Sequence, residues 1–237
     1  MYPVSMPEGF VHLALDRPGY GLSDPQPGRN AASHAADVAA VAHELGIARL
    51  SVFGWSGGTG PALGVAAGLA ERVARAVVVA GRSPVDSPVF EPELRDGVLS
   101  NLDQDRADCQ EKARLYREDR DAYFAWMESF VPDVEEFRRL RPQFIACYDA
   151  AFAAGGEGWF EDDVQLVTPW GFHLEDVRCE VQLWHAEADR MVPIQHGRHL
   201  AQQLPRCEPH LVAGEAEDHG TLVRHLPDMC RWLAVGL

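Results

Sequence analysis

Lysine is almost missing from this chain. Of its 21 basic residues only Lys112 is a lysine, and 36 acidic residues leave a formal charge of −15 at neutral pH. Such a charge repels phosphate backbones and anionic lipid surfaces, so nucleic acid and membrane surfaces are excluded as partners. Cysteine is scarce and scattered: Cys109, Cys147, Cys179, Cys207 and Cys230 are odd in number and form no C-x-x-C pair. That argues against a disulfide framework and a zinc site, and the five read as buried free thiols. Long apolar runs are also lacking. The most apolar stretch, 60–80, is broken by Glu71, Arg72 and Arg75, and no basic segment followed by an apolar one opens the chain. Neither a membrane span nor a signal peptide is expected, which points to the cytoplasm. No internal repeat or low-complexity tract is present.

What is there is a chain of 237 residues, 46% apolar and 24% charged. This suits a core domain that carries an insertion. Val11 to Asp16 is a short apolar run stopped by Arg17-Pro-Gly-Tyr-Gly21, and it predicts a buried strand. Residues 33–45 place Ala36, Val38, Val41, Ala42 and Leu45 at helical spacing, with Gly46 as the stop. Strands are predicted at Leu50 to Phe53, Ala76 to Ala80, Val181 to His185 and about Glu208 to Val212. Helices are predicted from Ser56 to Ala70, over 194–203 and from Thr221 to Leu233. Strand and helix alternating through short connections give a parallel sheet covered on both faces, an α/β class. Between Ser83 and Cys179 strand signals vanish, and charged helical segments near 105–116, 119–129 and 133–152 carry Pro132 and Pro142. The domain reading is therefore a core of 1–82 and 180–237 with a helical insertion of 83–179.

Gly54-Trp55-Ser56-Gly57-Gly58 joins a predicted strand to a small-residue helix. A serine hydroxyl becomes a nucleophile only when a base takes its proton, so it must project from a sharp strand-to-helix turn. Gly54 and Gly58 read as the residues that relieve crowding at that turn. Gly57, next to the serine at a helix start, offers an N–H to an oxyanion. The bland alternative is a glycine-rich nucleotide loop. Against it, Gly58-Thr-Gly60-Pro-Ala-Leu63 is not G-x-G-x-x-G, and no acidic residue ends the next strand.

A hydrolytic serine requires a histidine base and an acid that orients it. Asp189 lies in a loop directly after the strand ending at His185, and His219 in Glu215-Ala-Glu-Asp-His-Gly220 after the last strand. Both loops leave carboxyl ends of strands, where open α/β sheets bind ligands. Asp189 competes with Glu187 and with Asp86, and His219 with His185, which could enter the same pocket. His196 and His199 fit an exposed or packing side of a helix, and Asp24 and Asp218 read as turn and capping residues.

Four stretches together, Leu15 to Asp24, Gly54 to Gly58, Trp184 to Pro193 and Asp218-His219, resemble the α/β-hydrolase superfamily, whose chain order is nucleophile, acid, histidine. The resemblance implies a serine hydrolase with Ser56 as nucleophile, His219 as base and Asp189 as acid, under a helical cap and without metal or cofactor. It further implies three strands ahead of the one ending at Asp16 and a His-Gly loop supplying a second oxyanion donor. This chain has ten residues there and no such motif. The expected substrate is an ester or amide of a small, largely apolar molecule, with Trp55, Trp126 and Trp170 as candidate binding residues, although a buried tryptophan is more often core. The alternative is a catalytically impaired or truncated hydrolase-like protein that binds a small ligand. Unpaired strand edges leave homodimerisation open.

Overall fold

The strands are β1 (Leu50–Trp55), β2 (Val73–Val79), β3 (Glu180–Ala186) and β4 (Cys207–Val212), with β-branched and aromatic residues concentrated in β1 and β2. In the computed structural model, which describes residues 9–130, 134–214 and 217–235, they form one sheet in the order β1-β2-β3-β4, parallel throughout. Parallel pairing needs helical crossovers on the faces, which is why β2 and β3 are buried along most of their length. Between them, Ala76 pairs with Val181 and Val79 with Trp184.

The helices follow in chain order: α1 (His34–Glu44), α2 (Thr59–Gly68), α3 (Pro92–Leu99), α4 (Leu102–Glu118), α5 (Arg120–Glu128), α6 (Val134–Ala151), α7 (Glu157–Leu166), α8 (Ile194–Gln203) and α9 (Leu226–Leu233). In α2 every residue from Thr59 to Ala66 is buried. Such small side chains let the helix lie close to the sheet. Leu63 and Ala66 meet Ala76 and Val78 of β2, Val181 and Leu183 of β3, and Leu200 of α8 in one apolar cluster. Each buried leucine or valine there, taken from water, contributes about 1.5–3 kcal/mol.

The chain divides into two compact units. Among the described residues, the sheet unit holds 9–13, 29–95, 165–214 and 217–235; the helical unit holds 14–28, 96–130 and 134–164. In the helical unit Tyr116, Tyr123, Phe124, Phe137 and Phe152 form an aromatic core. Asp162 accepts hydrogen bonds from Arg17 and, at 2.8 Å, from the Tyr20 hydroxyl, which ties the Arg17-Pro-Gly-Tyr-Gly21 turn to α7. Burial, helped by nearby Asp105, pushes the Asp163 carboxyl up to about 7. Its Oδ2 accepts the Cys109 thiol at 3.5 Å. α6 runs on through Pro142; Pro132 lies outside the described residues.

One predicted element does not form. Residues 11–16 are not a strand, and Val11, Leu13 and Leu15 stand 80%, 44% and 38% exposed. A strand is held by a ladder to a neighbour, and no described strand pairs with this run. No described helix is long and apolar enough to cross a membrane.

Candidate active site

β1 ends at Trp55, and Ser56 begins a 3₁₀ turn, Ser56–Gly58, that leads into α2. Ser56 has φ 53°, in the left-handed region that non-glycine residues rarely occupy. Such a backbone costs on the order of 1–3 kcal/mol and persists where its surroundings over-determine it. Gly54 is part of that constraint. A Cβ there would lie 2.4 Å from the Gly58 carbonyl oxygen and 2.7 Å from the Ala62 Cβ. Gly58 differs from expectation: a Cβ there would meet nothing within 4 Å, because the chain at this point faces open space. Gly57 N–H sits in the first turn, where helical N–H groups lack an acceptor within the helix.

Asp189 lies in the loop after β3 and is 7% exposed. Its Oδ1 accepts the N–H groups of Met191 at 2.8 Å and Val192 at 2.9 Å, and its Oδ2 accepts His219 Nδ1 at 2.9 Å. Burial is the largest influence and favours the neutral acid. The hydrogen bond from His219 and those from the two backbone amides outweigh it together, so the carboxyl sits below its ordinary range. Asp189 is thus ionised at neutral pH. With Nδ1–H committed to Asp189, His219 has Nε2 left to take a proton. Among the described residues no hydrogen bond joins that atom to Ser56 Oγ. Glu215 and Ala216, in the loop leading to His219, lie outside the described residues.

A cleft opens at the elbow, lined by Ser56, Gly57, Gly60, Pro61, Arg82, Ser83, Gln165, Leu166 and Trp170. Of the tryptophans read as candidate binding residues, Trp170 is in this lining. Trp55 is not: it packs against Phe53, ring centroids 6.3 Å apart. Trp126 belongs to the helical unit, where it meets Tyr123, Phe130 and Trp159. An aromatic within the helical unit's own core satisfies its burial there.

Two histidines acquire unforeseen partners. His185 is fully buried beneath the acid loop, and its Nε2–H donates to the Val192 carbonyl at 2.8 Å while lying 3.6 Å from Asp189 Oδ2. Burial depresses its pKa, so it stays neutral and braces the loop. His196 is also fully buried, with Ser83 and Glu91 as partners. Its place on α8 signalled packing. The long-range contacts were not visible in the sequence.

The alpha/beta hydrolase fold family model matches residues 5–219. No curated protein sequence matches the chain. Among solved structures it is similar to an esterase from Exiguobacterium antarcticum, at 16% identity and a TM-score of 0.63 over 91% of this chain and 76% of that one. It is similar as well to an enol-lactonase from Burkholderia xenovorans LB400, at 18% identity and a TM-score of 0.61 over 90% and 75% of the two chains. A bromoperoxidase from Bacillus anthracis aligns at 18% identity and a TM-score of 0.58 over 92% and 78%. A parallel sheet with a strained serine at one strand end, an acid and a histidine after later strands, and a family match over most of the sequence agree: this chain belongs to the α/β-hydrolase fold family.

Proposed function

We propose that the chain is a serine hydrolase that cleaves an ester or amide of a small, largely apolar substrate through an acyl-enzyme. The observation that carries this reading is the Asp189–His219 hydrogen bond, made by a buried, ionised carboxylate, in the same sheet unit as the strained Ser56. Ser56 Oγ attacks the substrate carbonyl carbon as His219 Nε2 takes the hydroxyl proton. Asp189 holds the imidazole tautomer and stabilises the imidazolium that forms. The Gly57 N–H donates to the oxyanion. His219 then returns the proton to the leaving group, and water repeats the sequence to release the acid and restore Ser56. Of the segment 83–179 proposed as the cap, Ser83, Gln165, Leu166 and Trp170 line the cleft, and Leu166 and Trp170 give it an apolar wall.

A fluorescent fluorophosphonate, which reacts only with an activated serine, tests this. Labelling of the wild-type chain that disappears in Ser56→Ala supports the reading, and a folded wild-type chain that takes no label removes it. A second reading, a hydrolase-like protein that binds a small ligand without turning it over, is favoured by one observation: no described hydrogen bond links His219 to Ser56. The same experiment separates the two.

A further inference from the structure

Beside Ser56 the cleft carries a second serine that is wired like a nucleophile but serves a different end. Ser83 and His196 are almost completely buried, 1% and 0% exposed. Ser83 N–H donates to His196 Nδ1 at 3.2 Å, so Nδ1 has no proton of its own. The imidazole proton is therefore on Nε2, and it donates to Glu91 Oε2 at 3.0 Å. Burial, the largest influence, lowers the His196 pKa and keeps the ring neutral. Ser83 Oγ lies 2.9 Å from the same Nδ1, which can only accept, so the Ser83 hydroxyl proton points at His196. Ser87 Oγ, 2.6 Å from Ser83 Oγ, then donates to it. A hydroxyl oxygen has two acceptor lone pairs. One is used by Ser87 and one is left.

We propose that Ser83, fixed by His196 and Glu91, is a specificity-determining residue that accepts a hydrogen bond from a hydroxyl group on the substrate. Its neighbour in the lining completes the match. Arg82 donates to Glu91 Oε2 at 2.6 Å and to the Met191 carbonyl at 3.0 Å, and a guanidinium has five N–H donors, so donors remain. A hydroxyl both donates and accepts, and Ser83 with Arg82 offers it both partners. A carboxylate fits less well: it would bring a charge towards the Ser83 lone pair and the Glu91 carboxylate, with Arg82 already neutralised by Glu91.

This subsite rests on the reading of the Ser56 cleft as a hydrolase's substrate site, and the test keeps the two apart. Binding is measured on Ser56→Ala, which needs no turnover, with p-nitrophenyl butanoate and its 2-hydroxy and 3-hydroxy derivatives as probes. One hydroxy ester is expected to bind about tenfold tighter than butanoate, the scale of one well-formed hydrogen bond. In Ser56→Ala/Ser83→Ala, and in Ser56→Ala/Ser83→Cys as a nearly isosteric control on folding, that ratio is expected to fall to about one. Equal affinity for all three esters, or a ratio that survives both Ser83 substitutions, overturns the subsite. Turnover by the wild-type chain reports separately on the hydrolase reading, so a binding preference without turnover leaves the subsite standing and removes the enzyme.

Discussion

Replacing Asp189 by asparagine separates the chemistry of the acid from its structural work. Three N–H groups converge on this buried carboxylate: Met191 and Val192 on Oδ1, His219 on Oδ2. In Asp189→Asn the amide oxygen can keep both backbone donors. The acceptor facing His219 becomes an NH₂ group. For that contact to remain a hydrogen bond, Nδ1 must lose its proton and Nε2 must carry it, which leaves no lone pair to take the proton of Ser56. Wrong-tautomer substitution of this kind in a hydrolytic triad costs about ten-thousand-fold in kcat, or roughly 5.5 kcal/mol in the barrier. Because Asp189 is buried here in the same manner, kcat/KM for p-nitrophenyl acetate is expected to fall by about a thousand- to ten-thousand-fold. Stability should move far less. Hydrogen bonds to a charged acceptor are worth about 1.5–3 kcal/mol against about 0.5–1.5 for a neutral one, so a loss of about 1–2 kcal/mol is expected. Asp189→Ala, which orphans all three donors, should lose clearly more in a urea titration. A folded Asp189→Asn variant whose kcat/KM stays within about tenfold of wild type would refute the tautomer argument and send the search for the acid to Asp86.

Three further outcomes are expected. Gly54→Ala drives a Cβ into the Gly58 carbonyl, and unlike a flexible side chain that backbone cannot swing away; a loss of about 2 kcal/mol or more in chemical denaturation, with weakened fluorophosphonate labelling, is expected, and wild-type behaviour in both would contradict the crowding. Asp163 is raised to about 7 from an unfolded value near 3.8, so the folded chain holds a proton that the unfolded chain releases between those values, and this contribution is complete below pH 4 and lost as pH rises through 7. Asp163→Asn should therefore gain stability relative to wild type at pH 8, by at most about 4 kcal/mol, and much less at pH 4, read from melting curves at both; an equal effect at the two pH values would count against it. Trp170→Ala removes a buried ring from the cleft wall, so a stability loss of about 3–5 kcal/mol and a raised KM for apolar esters are expected, and an unchanged KM would show that substrate does not touch that wall.

The parts of this molecule written in local chemistry were legible. All four strands of the sheet overlap the runs that the sequence predicts as strands, and the turn at Ser56 was visible because a strand, a glycine-flanked serine and a small-residue helix are contiguous. The run from Val11 to Asp16 misled for a physical reason: apolarity marks a segment that can join a sheet, whereas joining takes a neighbour elsewhere in the chain. Gly58 misled because a glycine in a tight turn has two explanations, and only Gly54 faces a wall. Trp126 is an aromatic whose burial partners are all in its own unit, which no spacing reveals. The Ser83–His196–Glu91 relay was out of reach for a different reason: Ser83 and His196 are 113 residues apart, and a histidine on a helix looks the same whether it faces solvent or a serine.

The parallel ladder has a consequence for how this site can vary. The Ser56 turn is fastened to the end of β1 and the Asp189 loop to the end of β3, with β2 between them, so the distance from Ser56 to Asp189 is measured out through two sets of interstrand hydrogen bonds. Sliding β3 by one residue along β2 would carry Asp189 about 3.3 Å, more than the length of the hydrogen bond it makes to His219. The sheet therefore acts as a ruler as well as a core. Insertions in the connecting loops can alter what enters the cleft, while a single residue added within β2 or β3 would dismantle the alignment of the site even if every functional side chain were kept.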